Sequence, residues 1–304
     1  MIDRRIKFRH IQCFVEIVRQ QSMKRAAERL HLTQPAISKT LKELEEIIGA
    51  ALLVRNRAGV ALTRQGEVFL HFAEMSVAAL QQGLDGVEQL GRGDRATLSV
   101  GALPSVAARL MPDVAREFAE LAPETTLRIT DGPHAYLIDQ LRRGNLDLVI
   151  GRLGPPDTMK GISFTQLYNE YVEFVVRCGH PLLDDPDMRR IGEWTVIFPP
   201  EASAIRSLVE RVLIAHGVGD IPHRIESVSG AFGRNFARRS DAIWIISAGV
   251  VANEIAEGSL VRLPFDNAIT SGPVGLMARP DGQSTPEEQV FRVAINNVVA
   301  KLPA

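Results

Sequence analysis

The sequence predicts an α/β chain in three parts: a small helical head closed by a hairpin, a long connecting helix, and a body of two α/β lobes. Three observations predict it. Basic residues are concentrated at the start: residues 1–64 hold 13 Lys and Arg against 6 Asp and Glu, a net of +7, and the remainder holds 22 against 30, a net of −8. A proline-free stretch of broken apolar periodicity follows, over 64–90. From residue 98 onward, short apolar runs alternate with helical stretches, the order of a parallel sheet covered by helices.

The bulk properties agree. A chain of 304 residues with 45% apolar and 23% charged side chains has the composition of a globular protein of about two domains, not of a disordered one. A basic head on an acidic body suggests that only the head meets a polyanion. No run of 18 apolar residues is present, so no membrane-spanning helix is expected. The basic start lacks an apolar signal core, so a cytoplasmic location and no membrane partner are expected. Cys13 and Cys178 are too few for a disulfide framework or a metal knuckle and are expected to be plain packed thiols. No metal and no cofactor are expected.

In the head, Phe8, Ile11, Phe14, Val15 and Val18 recur at spacings of three and four, an amphipathic helix. Ser22 can cap a second helix over 23–30, whose Ala26 and Ala27 let another helix cross closely. After His31 and Leu32, Thr33 can cap a third helix with Pro35 in its first turn, where a missing N–H does little harm. On this third helix Ile37, Leu41, Leu44 and Ile48 fall within roughly 60° of one another, a core stripe. Gln34, Pro35, Ser38, Lys39 and Lys42 occupy the adjoining outward arc, with the acids Glu43, Glu45 and Glu46 following later. A short helix, a tight turn and a polar N-terminal face make a helix-turn-helix, with the third helix set for the major groove of double-stranded DNA. Gln can read adenine bidentately and Ser can bond base edges. The lysines suit phosphates. Ser22, Arg25 and Thr33, at the two helix starts, belong to the same contact set, because helix-terminal N–H groups can clamp a phosphate. Arg55 and Arg57 lie at the tip of a hairpin over 52–63, a wing for the neighbouring backbone. The plain alternative is a three-helix core with solvated lysines.

The stretch Ala26-Ala27-Glu28-Arg29-Leu30-His31-Leu32-Thr33-Gln34-Pro35-Ala36-Ile37-Ser38-Lys39 resembles the signature of LysR-type transcriptional regulators. It continues in order through Leu44-Glu45, Gly49, Leu52-Leu53, Arg55, Arg57, Leu62-Thr63 and Gly66. Leu53 stands where the family typically has Phe, a conservative change. The resemblance implies a winged helix-turn-helix over 1–64, a linker and dimerisation helix over 65–93, and over 94–304 an effector-binding domain like a periplasmic binding protein. It also implies that two linker helices pair antiparallel. The resulting homodimer or homotetramer would meet a dyad-symmetric operator and, in turn, RNA polymerase.

The linker helix carries Phe69, Phe72, Leu80, Leu84 and Val87 as a broken apolar stripe and would run roughly 40 Å. Its alternative is to pack along its own body. In the body the expected strands are 98–101, 127–130, 146–150 and 171–176, then 195–198, 224–228, 242–246 and 274–278. Helices are expected over 106–121, 136–143, 204–216, 232–239, 250–257 and 287–302. These divide into lobes of 94–175 with 270–304, and 176–269.

Ligands of such sheets sit beyond the carboxyl ends of strands, where helix starts converge. The residues there are Leu103, Pro104 and Ser105, then His134, then Arg152. From the second lobe come Phe198, Pro199, Pro200, Ser229, Gly230, Ala231, Phe232 and Ser247. The resemblance implies that Ser105, His134 and Arg152 hold ligand carboxylates, although many members carry Ser or Thr at the position of His134. Each has an ordinary structural role open to it: a helix cap for Ser105, a satisfied helix-start residue for His134, an ion pair for Arg152.

Four further stretches, at 2–10, 66–70, 100–104 and 146–153, resemble family members that activate protocatechuate catabolism. That likeness implies a small-molecule co-inducer of carboxy-muconate type, a polycarboxylate. Enzymatic function has little to stand on. No G-x-G-x-x-G, P-loop or nucleophile elbow is present, and Cys178 beside Gly179 and His180 is not a catalytic dyad by adjacency alone. No catalytic residue is expected. A regulator that needs no ligand is the other alternative.

Overall fold

The apolar spacings of the head become three helices in the computed structural model, which describes residues 5–56, 59–92, 95–280 and 284–302. The chain divides into two units, residues 1–92 with 142–144, and residues 93–141 with 145–304.

In the first unit, α1 (Phe8–Gln20), α2 (Met23–Arg29) and α3 (Gln34–Ile48) bury Phe14, Ile17, Ala26, Ile37 and Leu44 in one core. Cys13 is part of it: its thiol donates to the Ile37 carbonyl at 3.6 Å, and burial pushes its pKa up to about 11. Strands β1 (Leu53–Asn56) and β2 (Gly59–Leu62) pair antiparallel as the expected hairpin. Helix α4 (Arg64–Arg92) follows, and its Phe69 packs against Phe14 with ring centroids 5.4 Å apart. At 29 residues α4 is about 43 Å long.

The second unit begins with β3 (Thr97–Ala102), α5 (Pro104–Arg109), α6 (Met111–Leu121), β4 (Thr126–Asp131), α7 (His134–Arg142), β5 (Leu148–Arg152) and β6 (Ser163–Glu170). It continues through β7 (Val172–Arg177), β8 (Val196–Phe198), α8 (Arg206–Ala215), β9 (Arg224–Glu226), α9 (Gly230–Arg239), β10 (Ile243–Ser247), α10 (Ala252–Ala256), β11 (Leu260–Arg262), β12 (Gly272–Ala278) and α11 (Pro286–Val299). One sheet has the order β4-β3-β5-β12-β6 and the other β11-β7-β10-β8-β9. In the first, β3 is parallel to β4 and β5, and the returning β12 is antiparallel to β5 and β6.

The period of two along β5 explains its two-sided burial. Leu148 and Ile150 join the core under α6 and α11, where Phe118 meets Phe291 at 5.7 Å. Val149 joins the opposite core with Leu137 and Leu141 of α7. Trp244, fully buried on β10, centres the core of the second lobe.

Three expectations need correction. The strand expected at 171–176 and given to the first lobe is β7 of the second sheet, paired with β10 and β11. The first lobe instead ends with β6, an edge strand whose polar, exposed residues look like loop in the sequence. The helix expected over 106–121 is two helices broken at Leu110, because Pro112 has no N–H to return to the preceding turn. Cys178 is exposed, not packed. Among the described residues, no helix is long and apolar enough to cross a membrane.

Candidate functional site

The outward arc of α3 is built as its sequence requires. Thr33 accepts from the Ala36 N–H at 3.4 Å and starts the helix, and Ile37, Leu41 and Leu44 anchor its inner side. Gln34, Pro35, Lys39 and Lys42 are exposed, and Ser38 is half-buried beside them. Ser22 accepts from the Arg25 N–H at 3.4 Å and starts α2, while the Arg25 guanidinium donates to the Gln20 carbonyl at 2.6 Å. The turn between the helices is made by His31, held at φ 55°, with the Leu32 N–H on the Ala27 carbonyl at 2.9 Å.

The acids of α3 are committed inside the head. Glu45 accepts from the Leu52 and Leu53 N–H groups at 2.8 and 3.1 Å and so sets where the wing begins. Glu43 meets buried His10 at 3.3 Å and lies 4.0 Å from Lys39, while Lys42 lies 3.7 Å from Glu46. Such exposed lysine pairs are weak, about 0.3–0.5 kcal/mol, and yield readily to a phosphate. In the wing, Gly59 has φ +128°, and a Cβ there would stand 2.8 Å from the Gln21 carbonyl oxygen, so only glycine fits. Arg57 lies outside the described residues, and so does the side chain of Arg55.

The second site is a cleft between the lobes of the body. Leu103, Pro104, Ser105, His134 and Arg152 all line it, brought together from the carboxyl ends of β3, β4 and β5. Of the residues expected from the second lobe, Pro200 and Ser247 line it. Phe198 is buried beneath the Arg206 guanidinium, 4.6 Å from its ring centroid, and the Pro199 carbonyl accepts from Arg206 at 2.9 Å. Ser229 caps α9 by accepting from the Phe232 N–H at 3.3 Å, Ala231 accepts from Asn235 at 3.0 Å, and Phe232 stacks on Phe236. The second lobe also presents Ser203, Ile205, Val228, Ile246 and Val250. Residues 202–205 were missed because α8 begins at Arg206, two residues later than expected.

Apart from Ser105, His134, Arg152, Ser203 and Ser247 the lining is apolar. His134 is buried. Its Nε2 lies 3.1 Å from the Thr158 hydroxyl, which itself donates to the Pro155 carbonyl, so Nε2 carries the proton. A Cβ on Gly154 would run into this imidazole. Ser105 is not the cap of α5: the cap position is Leu103, and the buried Ser105 side chain faces Glu170 and favours its charged form.

Arg152 is only 3% exposed. It donates from Nη1 to the Thr270 carbonyl at 3.1 Å and from Nη2 to the Glu170 carbonyl at 2.7 Å, with Glu170 Oε2 3.9 Å from Nη2. Burial pulls the Arg152 pKa below the ordinary arginine value, and the neighbouring Glu170 opposes this. Glu170, also buried, accepts at Oε1 from the Gly249 N–H of the second lobe at 3.0 Å. Sequence reasoning missed Glu170, since it closes the polar edge strand that read as loop.

A basic helix-turn-helix head followed by a two-lobed body with a cleft is matched along nearly the whole chain. Residues 8–67 match the bacterial regulatory helix-turn-helix protein, lysR family, and residues 91–300 match the LysR substrate binding domain. The HTH-type transcriptional regulator PcaQ of Agrobacterium fabrum is 48% identical over 305 residues, covering 99% of this chain and 98% of that protein. The HTH-type transcriptional regulator YdcI of Escherichia coli is 33% identical, over 92% of each. The full-length regulator LysG of Corynebacterium glutamicum, solved with bound effector Arg, shares the fold at a TM-score of 0.62 with 18% identity, covering 97% of this chain and 99% of that one. With both halves of the chain and their order matched, this protein belongs to the LysR family of DNA-binding transcriptional regulators.

Proposed function

We propose that this regulator activates genes of protocatechuate catabolism in response to a carboxylated ring-cleavage metabolite, carboxy-muconate-like, bound between its lobes. The observation that carries the ligand class is Arg152: a buried guanidinium lining a mostly apolar cleft, whose Nε–H has no acceptor among the described residues. Such a donor suits a carboxylate, which takes a guanidinium edge through charge-assisted hydrogen bonds. The length and level of identity to PcaQ support the pathway.

The linker supports the assembly. Val68, Phe72, Leu80 and Leu84 of α4 are 51–66% exposed, an apolar face that a second copy would cover. A homodimer, and a homotetramer built from it, would place paired α3 helices on a dyad-symmetric operator in the cytoplasm. Effector-driven lobe closure would shift the assembly between preexisting shapes, change DNA bending and let RNA polymerase engage.

Thermal unfolding of the full chain against aromatic acids and their ring-cleavage products tests the ligand. An acid that binds the native state alone stabilises it by about 2.7 kcal/mol at a concentration of 100 Kd. A concentration-dependent rise is expected for a carboxy-muconate and not for the parent aromatic acid, with the rise lost in Arg152→Ala. No rise with any acid would overturn the anionic-effector reading.

A further inference from the structure

Arg152 and Glu170 form a buried pair whose mutual contact is incomplete. A guanidinium offers five N–H donors. Two go to the Thr270 and Glu170 carbonyls, and Nε–H has no acceptor. The Glu170 carboxylate is equally unfinished: Oε1 is held by the Gly249 N–H, while Oε2 stands 3.9 Å from Arg152 Nη2 and has no hydrogen-bond partner. Glu170 therefore neutralises Arg152 by proximity and leaves its Nε–H without a bond. A carboxylate arriving at Nε–H would place two negative groups on one guanidinium in a water-poor site. Two carboxylates sharing a site do not both stay ionised, because each raises the other's pKa.

We propose that anion binding at Arg152 is coupled to the uptake of one proton by Glu170, so that the effector binds more tightly as pH falls. The inference rests on the anionic-effector reading of the cleft. The proton comes from solvent and adds to the Glu170 carboxylate, and no other bond changes. The groups facing Glu170 are Arg152 from β5, Ser105 and Arg109 from α5, Tyr168 from β6 with its buried unpartnered hydroxyl, and the Gly249 N–H from the 3₁₀ turn Ala248–Val251. Only the two arginines carry charge that opposes protonation, and an anion on Arg152 cancels one of them. Burial already pushes the Glu170 carboxyl above the usual carboxylate range. Protonation also removes the charge on Glu170 of the first lobe to which the Gly249 N–H of the second lobe bonds. Proton uptake thus loosens the joint that anion binding engages.

Titration calorimetry of the full chain with carboxy-cis,cis-muconate, in two buffers of different ionisation enthalpy at one pH, counts the protons. Above the free-state pKa of Glu170, uptake should approach one proton per site, and Kd should rise by up to about tenfold per pH unit. Glu170→Gln should still bind the probe but take up no proton and lose the pH dependence. Where the variant does not fold, infrared spectra of the native chain labelled with ¹³C-glutamate serve instead, and the isotope-shifted carbonyl stretch of a protonated carboxyl should appear on adding the probe. Binding without uptake, or equal uptake in the Gln variant, or no such stretch, overturns this coupling alone. Failure of the native chain to bind any carboxylate in the panel overturns both the coupling and the anionic-effector reading beneath it.

Discussion

Gln34 and Lys39 stand on the same exposed arc of α3, yet their chemistry on a duplex differs. An amide distinguishes base edges by paired donor and acceptor, whereas an ammonium meets phosphates that are alike at every sequence. Gln34→Ala should therefore narrow the gap between operator and random DNA by about 1–3 kcal/mol, and Lys39→Ala should weaken both equally and lower the salt slope by about 1. Competition binding at two or three salt concentrations separates the outcomes, and an unchanged footprint in both variants would refute the groove assignment. These residues were legible in the sequence because a helix with a fixed core stripe leaves only one arc outward. The cleft was legible on one side for a similar reason: parallel strands with short apolar cores mark their carboxyl ends, which located Leu103–Ser105, His134 and Arg152. What is done with those side chains was not legible. The partner that balances Arg152 is Glu170, and only the folded chain brings it there.

Helix α4 shows how far local pattern carries at the scale of an element. Its length and start were readable from the lack of proline and the run of helix formers, but its apolar residues have two destinations. Phe69 and Ala73 pack into the head core, while Phe72, Leu80 and Leu84 remain exposed. Val87 was expected on the same face, and its side chain lies outside the described residues. Periodicity alone could not separate the two sets, because both lie on one helix and only tertiary packing distinguishes them. The same limit explains β6: an edge strand needs few apolar residues, so its polar sequence carried no strand signal, and β7 was credited to the wrong lobe. For α4 the division gives a clean test. Leu80→Glu with Leu84→Glu places charges at positions that are solvent-exposed within the chain, so the fold should survive. Sedimentation should then show a monomer where the native chain is a dimer or larger. An unchanged sedimentation coefficient would exclude this face as the interface.

The charge of the whole molecule is divided in a way that makes its stoichiometry on DNA measurable. Residues 1–64 carry +7 and the remainder −8, so the body adds no attraction to a polyanion and the salt dependence of binding reports the heads. Each phosphate contact contributes about −0.9 to the slope of log K against log salt. Arg25, Lys39, Lys42, Arg55 and Arg57 offer five candidate contacts in each head. One head engaged at all five gives a slope of about −4.5, and two heads on a dyad give about −9. The native chain on its operator should show a slope beyond about −5, steeper than one head can supply, and the Leu80→Glu, Leu84→Glu variant should show about half the native value. The comparison is internal, so unmade contacts lower both slopes and leave their ratio near two. Equal slopes in the native chain and the variant would mean that a single head carries the binding, and the paired-head arrangement would have to be abandoned even if the family assignment stands.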